Sequence, residues 1–438
     1  MVCSSGLLAA LLVLGGGADP APPSSRALTL VAAVAAARDN HPDLRQASAA
    51  YEAGAARADQ RRSGLLPQVA GSASYERSTS NFASRPGSVP SSLGVGAASS
   101  FATSDYFNVG ASVDQLVFDF WQTPNQWRAA SLSAEALAET RRATLVRVLA
   151  NVRNAYFGAR AAKALLGVAR ETLANQERHL GQIQGFVEVG TRPDIDLAQA
   201  RTDLANARVQ LILGSNGYAT AKAQLRTAMG TPMAGDFEVA DETMPVVPGE
   251  DLPLEQLVDE AVVGKPELMS LLRQQEALER TASAAGVGWL PRISVGTAVS
   301  DAGPQLNRLV WNWNGGVTMS WPLFAGGLAL AQSHEAGANV AAMAAQRDSL
   351  GQQVRLQVEQ TQLAVGATRA ALGAADEAVV NARERLRLAE GRYETGVGSV
   401  IELGDAQLAL TSALGQRVQA EYQLATARAS LLQALGRE

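Results

Sequence analysis

The fold hinges on residues 311–324, Trp311-Asn312-Trp313-Asn314-Gly315-Gly316-Val317-Thr318-Met319-Ser320-Trp321-Pro322-Leu323-Phe324. Taken in steps of two, Trp311, Trp313, Val317, Met319 and Trp321 share one face, and Asn312, Asn314, Thr318 and Ser320 the other. Such alternation belongs to a β-strand. An apolar face with Trp at both ends and a polar face behind it suits a lipid-facing strand of a transmembrane barrel, girdled by aromatics and wet inside. A strand covered by protein on one side alternates in the same way. The residues beyond the strand favour the barrel: Phe324-Ala325-Gly326-Gly327, then about 70 residues of Ala-rich helix.

Upstream, the same unit is already present once. Pro42 in Asn40-His41-Pro42-Asp43-Leu44 and Pro266 in Gly264-Lys265-Pro266-Glu267-Leu268 lie 224 positions apart (266 − 42). So do Pro67 and Pro291 (291 − 67), which close Leu65-Leu66-Pro67 and Trp289-Leu290-Pro291. A constant offset held from one proline to the next marks an internal repeat. In each copy the first proline suits a helix start and the second stops that helix. Two strands come next, expected at about 68–77 and 106–118 in the first copy and 292–301 and 311–324 in the second. Val109, Ala111, Val113 and Val117 share one face; Ile293, Val295, Thr297 and Val299 share the corresponding one. The first hairpin loop, Ser78 to Asp105, is rich in Ser, Gly, Ala and Pro and reads as an exterior loop.

Beyond the hairpins the offset falls to 206 (324 − 118 and 396 − 190), and the difference of 18 (224 − 206) is the extra length of that loop. Each copy then carries two helices, expected at 126–189 and 194–230, and at 328–395 and 399–436. Tight turns divide them, Gly190-Thr191-Arg192-Pro193 and Gly396-Val397-Gly398-Ser399. At 1.5 Å per residue, ~65 residues of helix reach on the order of 100 Å, with no globular core to lie on. Leu386, Ala389, Leu403, Ala406, Leu410 and Ala413, at helical spacing, suit close packing of helix on helix. The plan is a signal peptide (1–18), a leader (19–27), a first repeat (28–230), a linker (231–253) and a second repeat (254–438).

Composition agrees with thin, elongated parts. Aromatics are 5% of 438 residues, and the net charge of −5 comes without a basic block, which excludes nucleic acid as a partner. Leu7 to Leu14 followed by Gly16-Gly17-Ala18 reads as a secretory signal, too short to span a bilayer. The single cysteine, Cys3, precedes that run, so no disulfide and no thiol metal site can form within one chain. From Asp19 onward no apolar run reaches 18 residues, so the chain can enter a membrane only as strands. Four strands cannot close a barrel, and an open edge cannot persist in lipid. Three copies would supply 12, an even number within the known range.

The order Asn-His-Pro-Asp-Leu, Leu-Leu-Pro, strand pair, Gly-Thr-Arg-Pro-Asp-Ile-Asp resembles the TolC family of outer-membrane efflux proteins. So does its second copy, with Trp-Pro-Leu-Phe-Ala-Gly-Gly and Arg-Tyr-Glu-Thr-Gly-Val-Gly-Ser-Val-Ile-Glu-Leu-Gly-Asp-Ala; the likeness covers essentially everything after Arg26. It implies a mainly α fold with a transmembrane β-barrel: a homotrimeric 12-stranded barrel joined to a periplasmic α-helical barrel. Such a duct carries solutes from a periplasmic adaptor and an inner-membrane pump across the bacterial outer membrane and its lipid. The first copy departs from the family at Phe120-Trp121, where the second has Gly326-Gly327. A one-step protein-secretion system uses the same fold for its exit duct. A soluble periplasmic coiled-coil scaffold is the alternative from a different class.

The sequence offers no catalytic, cofactor or metal constellation. His41, His179 and His334 are scattered and read as surface or cap residues. The resemblance places the two turns at the periplasmic tip, where Gly190, Thr191, Arg192, Gly396, Val397 and Gly398 would face the adaptor. It matches Glu402 and Asp405 to acidic positions ringing a closed entrance, and Asp196 and Tyr393 to a pair that ties neighbouring hairpins shut. Symmetry copies of a carboxylate around a narrow opening favour cations. Alternatively Asp194, Asp196, Glu402 and Asp405 only complement the amino-terminal ends of their helices. The family's arginine in the second turn is absent, with Gly398 in its place; Arg192, in the other turn, is the candidate substitute.

Overall fold

The computed structural model describes residues 27–79, 101, 103–231 and 235–438. The expected signal peptide, the leader as far as residue 26 and most of the first hairpin loop lie outside these. Strand β1 (Ala27–Leu28) leads into helix α1 (Leu30–Asn40) and helix α2 (Pro42–Ser63). His41 hinges the two helices, ending one and capping the other: its Nδ1 accepts from the Asp43 N–H at 3.2 Å. Strands β2 (Gln68–Thr79) and β3 (Thr103–Phe118) come next, then the long helix α3 (Gln122–Glu188) and α4 (Asp194–Ala228). A short strand β4 (Glu238–Val239) precedes the second copy: α5 (Leu254–Gly264), α6 (Pro266–Gly286), β5 (Arg292–Gly303), β6 (Val310–Ser320), α7 (Leu328–Glu394) and α8 (Val400–Ala434).

The copies match element by element. The starts of α1 and α5 are 224 apart (254 − 30), as are those of β2 and β5 (292 − 68). Those of α3 and α7 are 206 apart (328 − 122), as are those of α4 and α8 (400 − 194). Both long helices have 67 residues and both returning helices 35.

Several bounds differ from the sequence reading. The last strand stops at Ser320 instead of reaching Phe324, because Pro322 has no N–H to extend a ladder; Trp321 therefore lies just past it. Helix α3 begins at Gln122, four residues early, because Pro124 is preorganised for a first turn and the Asp119 carboxylate accepts from the Thr123 N–H at 2.7 Å. Pairing carries the first hairpin outward to Thr79 opposite Thr103.

The four long strands form one antiparallel sheet in the order β2-β3-β5-β6. Register sets Ala111, Val299 and Trp313 in one cross-strand row and Gln115, Val295 and Val317 in another. Opposed residues share a face, so the apolar faces of both hairpins coincide, with Gln115 and Asp301 as interruptions. A bulge leaves Val117 unpaired and sets Phe118 opposite Ile293, so Val117 does not continue the Val109-Ala111-Val113 row. Among the described residues, β2 and β6 each pair on one side only.

Helix α3 is the spine. Its first half packs against α2 and α6, as at Leu137 beside Gly54 and at Thr140, 3.0 Å from Ser270 Oγ. Its second half packs against α4 and α8, as at Gln176, which donates to Gln407 at 2.9 Å. Ala200, Ala389, Leu403, Ala406 and Ala413 are buried where helices touch, consistent with small residues allowing close approach.

The linker is more than a connection. β4 pairs in parallel with β1, and the Tyr156 hydroxyl lies 3.2 Å from both the Leu28 and Ala240 carbonyls. Farther on, the buried Glu250 carboxylate accepts from Arg428 at 2.9 and 3.0 Å, from Arg369, and from the Val247 N–H at 3.0 Å. Burial pushes this carboxyl up, but the two guanidiniums and the N–H outweigh it and hold it below the usual glutamate range. The linker is thus fastened to both α7 and α8.

Candidate functional site

Both ends of the helical part are shaped by left-handed backbone. Where strand becomes helix, Gly326 and Gly327 have φ of 60° and 82°, and Phe120 and Trp121 adopt the same pair of conformations at 55° and 67°. The bend therefore survives the departure from glycine, although left-handed backbone costs about 1–2 kcal/mol per residue with a side chain. Phe120 is held against Phe118, ring centroids 4.7 Å apart. At the far end, Gly190 (φ 74°) and Gly396 (φ 79°) close α3 and α7. In each turn N–H groups return to carbonyls of the last helical turn: Gly190 to Val187 and Thr191 to Phe186 in the first, Gly396 to Tyr393 and both Val397 and Gly398 to Arg392 in the second. Gly398 is needed for space, since a Cβ there would lie 2.9 Å from the Tyr393 nitrogen. Thr191 Oγ1 donates to the Phe186 carbonyl at 2.8 Å, while Val397 stands exposed.

Arg192 stitches the two turns. Its guanidinium donates to the Gly398 carbonyl at 3.3 Å and stacks on the Tyr393 ring, 4.6 Å from the centroid. Asp196 and Tyr393 are both buried at this junction. Among the described residues the Tyr393 hydroxyl has no hydrogen-bond partner, so within one chain the two are neighbours without being bonded. Burial pushes the phenol pKa up, Arg192 pulls it down and Asp196 raises it again.

The two carboxylates expected at the entrance, Glu402 and Asp405, occupy different settings. Glu402 follows the capping residue Ser399, whose hydroxyl accepts from the Glu402 N–H at 3.1 Å, and its carboxylate meets Arg392 at 3.5 Å. Glu402 is thus a helix-end charge with a partner. Asp405, one turn on, is exposed, and among the described residues no cation pairs with it. It lines a groove of about 980 Å³ between α4 and α8, floored by α3, together with Asp196, Asp203, Ile401 and Leu408.

On the sheet, Trp311, Trp313, Val317 and Met319 are exposed on their shared face, and Trp321 is exposed beyond the strand. The Trp313 indole donates to Thr297 Oγ1 at 2.9 Å and lies over Gly315. The remaining histidine expectations divide: His41 is a cap and His334 is exposed, but His179 is buried, a position that sequence spacing did not reveal. The Glu250–Arg428 pair was also missed, because its partners lie 178 positions apart. Among the described residues no group of three metal-ligating side chains converges, and no helix is long and apolar enough to cross a membrane.

Long antiparallel helices, joined through left-handed bends to a small sheet with free edges, define a class: the channels that pair an α-helical barrel with a β-barrel. Among solved structures, that of CusC aligns with a TM-score of 0.80 at 21% identity, covering 94% of this chain and 93% of that one. The open-state MtrE outer membrane channel of Neisseria gonorrhoeae aligns at 0.77 and 22%, covering 93% and 89%. The chain belongs to the outer membrane efflux protein family, whose pattern matches residues 33–231 and 257–437. It is 26% identical over 440 positions to the toluene efflux pump outer membrane protein TtgF of Pseudomonas putida, spanning 92% of this chain and 82% of that protein. It is accordingly a protein of the outer membrane that extends into the periplasm.

Removing the stitch should loosen the tip without unfolding the helices. Replacing Arg192 by Ala loses one hydrogen bond and one cation–π contact, together about 1–2 kcal/mol. Amide hydrogen exchange at residues 186–200 and 392–402 should then quicken by roughly 5- to 30-fold, with Arg192→Lys in between and the α2–α3 contact unchanged.

Proposed function

We propose that three copies of this chain form the exit duct of a tripartite efflux system, receiving small molecules from a periplasmic adaptor and an inner-membrane pump. The observation that carries this is the four-stranded sheet of an outer-membrane protein, whose two edges are unpaired among the described residues. Lipid offers those backbone groups no partner, and three sheets joined edge to edge close a ring of 12 strands. The helices then continue the ring as a tube. Relatives such as TtgF act in toluene efflux by their description, which supports small-molecule export over protein secretion. The scaffold reading loses its ground with membership in an outer-membrane family. Trp311, Trp313, Val317, Met319 and Trp321 face lipid, and Asn312, Asn314, Thr318 and Ser320 face the lumen. The turns meet the adaptor, Asp196 and Tyr393 take part in closing the mouth, and Glu402 and Asp405 line it.

The facing of the sheet is tested by one charge on either side. Val317→Arg places a guanidinium in lipid at about 2–4 kcal/mol per copy near mid-membrane, so the yield of assembled outer-membrane complex should fall. Asn314→Arg should assemble normally and change single-channel conductance instead. Normal assembly of the first and failure of the second would mean the facing is inverted.

The entrance is tested in a planar bilayer. The duct should prefer cations and be blocked from the periplasmic side by trivalent metal complexes, since like carboxylates in a confined ring repel until a multivalent cation bridges them. Because Glu402 is already engaged by Arg392 and Asp405 is not, Asp405→Ala should remove most of the block and Glu402→Ala less. Full block in the double mutant would place the constriction elsewhere.

A further inference from the structure

Above the tip, where α3, α4 and α7 converge, His179 is only 7% exposed. Its ring meets Tyr393 edge-on, with centroids 5.5 Å apart at 63°. Tyr393 in turn packs against Phe186 at 6.4 Å and carries the Arg192 guanidinium. Buried Ile183, Ala200, Leu403 and Ala406 complete an apolar cluster that joins both helical hairpins.

The charges around this imidazole are few. On its own helix Gln182 lies beside it and favours the protonated form, and Arg178 is turned to Asn175. Helix α4 brings Asp203, already accepting from Gln199 at 3.0 and 3.2 Å, and Asp196. Helix α7 brings Tyr393, and the turn after α3 brings Arg192. On helix α8, Glu402 is paired with Arg392, and Asp405 lines the groove between α4 and α8. Among the described residues no carboxylate forms an ion pair with His179, so a proton there would put a bare cation into the cluster.

We propose that His179 is an acid-sensitive lock on the tip: neutral, it packs against Tyr393 and holds the two hairpins together; protonated, it leaves the cluster and the tip loosens. Burial pushes the imidazole pKa down, partly opposed by Gln182 and Asp203. A solvated imidazole titrates near 6.5. A group whose folded pKa is depressed in this way favours the closed cluster above that value and opposes it as pH falls. At pH 5.5 the open population can rise by at most about 11-fold (1 + 10^1.0).

Only the functional consequence rests on the tip being the entrance; the lock itself does not. The test is amide hydrogen exchange on the detergent-extracted full-length assembly at pH 7.5 and 5.5, corrected for intrinsic rates. Residues 175–200 and 386–406 should open up to about tenfold more at the lower pH, while the α2–α3 contact does not change. His179→Phe and His179→Leu should both abolish the response, whereas His41→Gln and His334→Gln should retain it. Two apolar replacements are used so that poor packing in one does not hide the outcome. A tip without pH response in the native chain, or a response preserved in the two His179 variants, overturns the lock. Bilayer conductance at the same two pH values separates the readings: a tip that loosens without a rise in conductance upholds the lock and refutes the entrance.

Discussion

A backbone N–H or C=O facing hydrocarbon has no water to turn to, and the rest of this molecule depends on that. Each hairpin alone would bring two bare edges into the membrane. Joining β3 to β5 removes two of the four, and among the described residues no other strand meets the remaining two. The repeat supplies the means: two copies of one hairpin, in matching phase, present the same face to the same side along continuous rows such as Ala111-Val299-Trp313. A slip of one residue in either hairpin would turn its apolar set inward. In the proposed trimer, the edges left on β2 and β6 are met by those of other copies.

A second constraint governs the helices. At 67 residues they are far longer than any core they could cover, so they must be each other's core. Alanine at the contacts lets them approach closely, and polar interlocks such as Gln176–Gln407 fix their register. The ends need separate fastening, because end residues have neighbours on one side only. Arg192 and Tyr393 fasten the tip, while the linker fastens the middle through β1–β4 and the Glu250–Arg428–Arg369 cluster. These fastenings join segments remote in sequence, at just the places where local pattern says least.

That division explains what was legible in the sequence. Helix starts at Pro42 and Pro266, the strand faces and the tip turns all rest on local chemistry, and proline, glycine and period-two alternation announce them directly. The left-handed pair at Phe120-Trp121 was not legible, since neither residue advertises that conformation. It could be reached only through the offset of 206 to Gly326-Gly327. Burial of His179 and Glu250 depends on which helices come to lie beside them, which spacing along one helix cannot tell. Arg192 is intermediate: the missing arginine at Gly398 drew attention to it, but its bond to the Gly398 carbonyl is a fact of three dimensions.

The central claim is that one chain is an incomplete barrel and that three complete it. Native mass spectrometry of the complex extracted intact from the outer membrane counts the chains directly. The account predicts three per particle and no populated monomer under conditions that keep the sheet folded. A stable monomer that retains the sheet in detergent, or a complex of two or four chains, would contradict it.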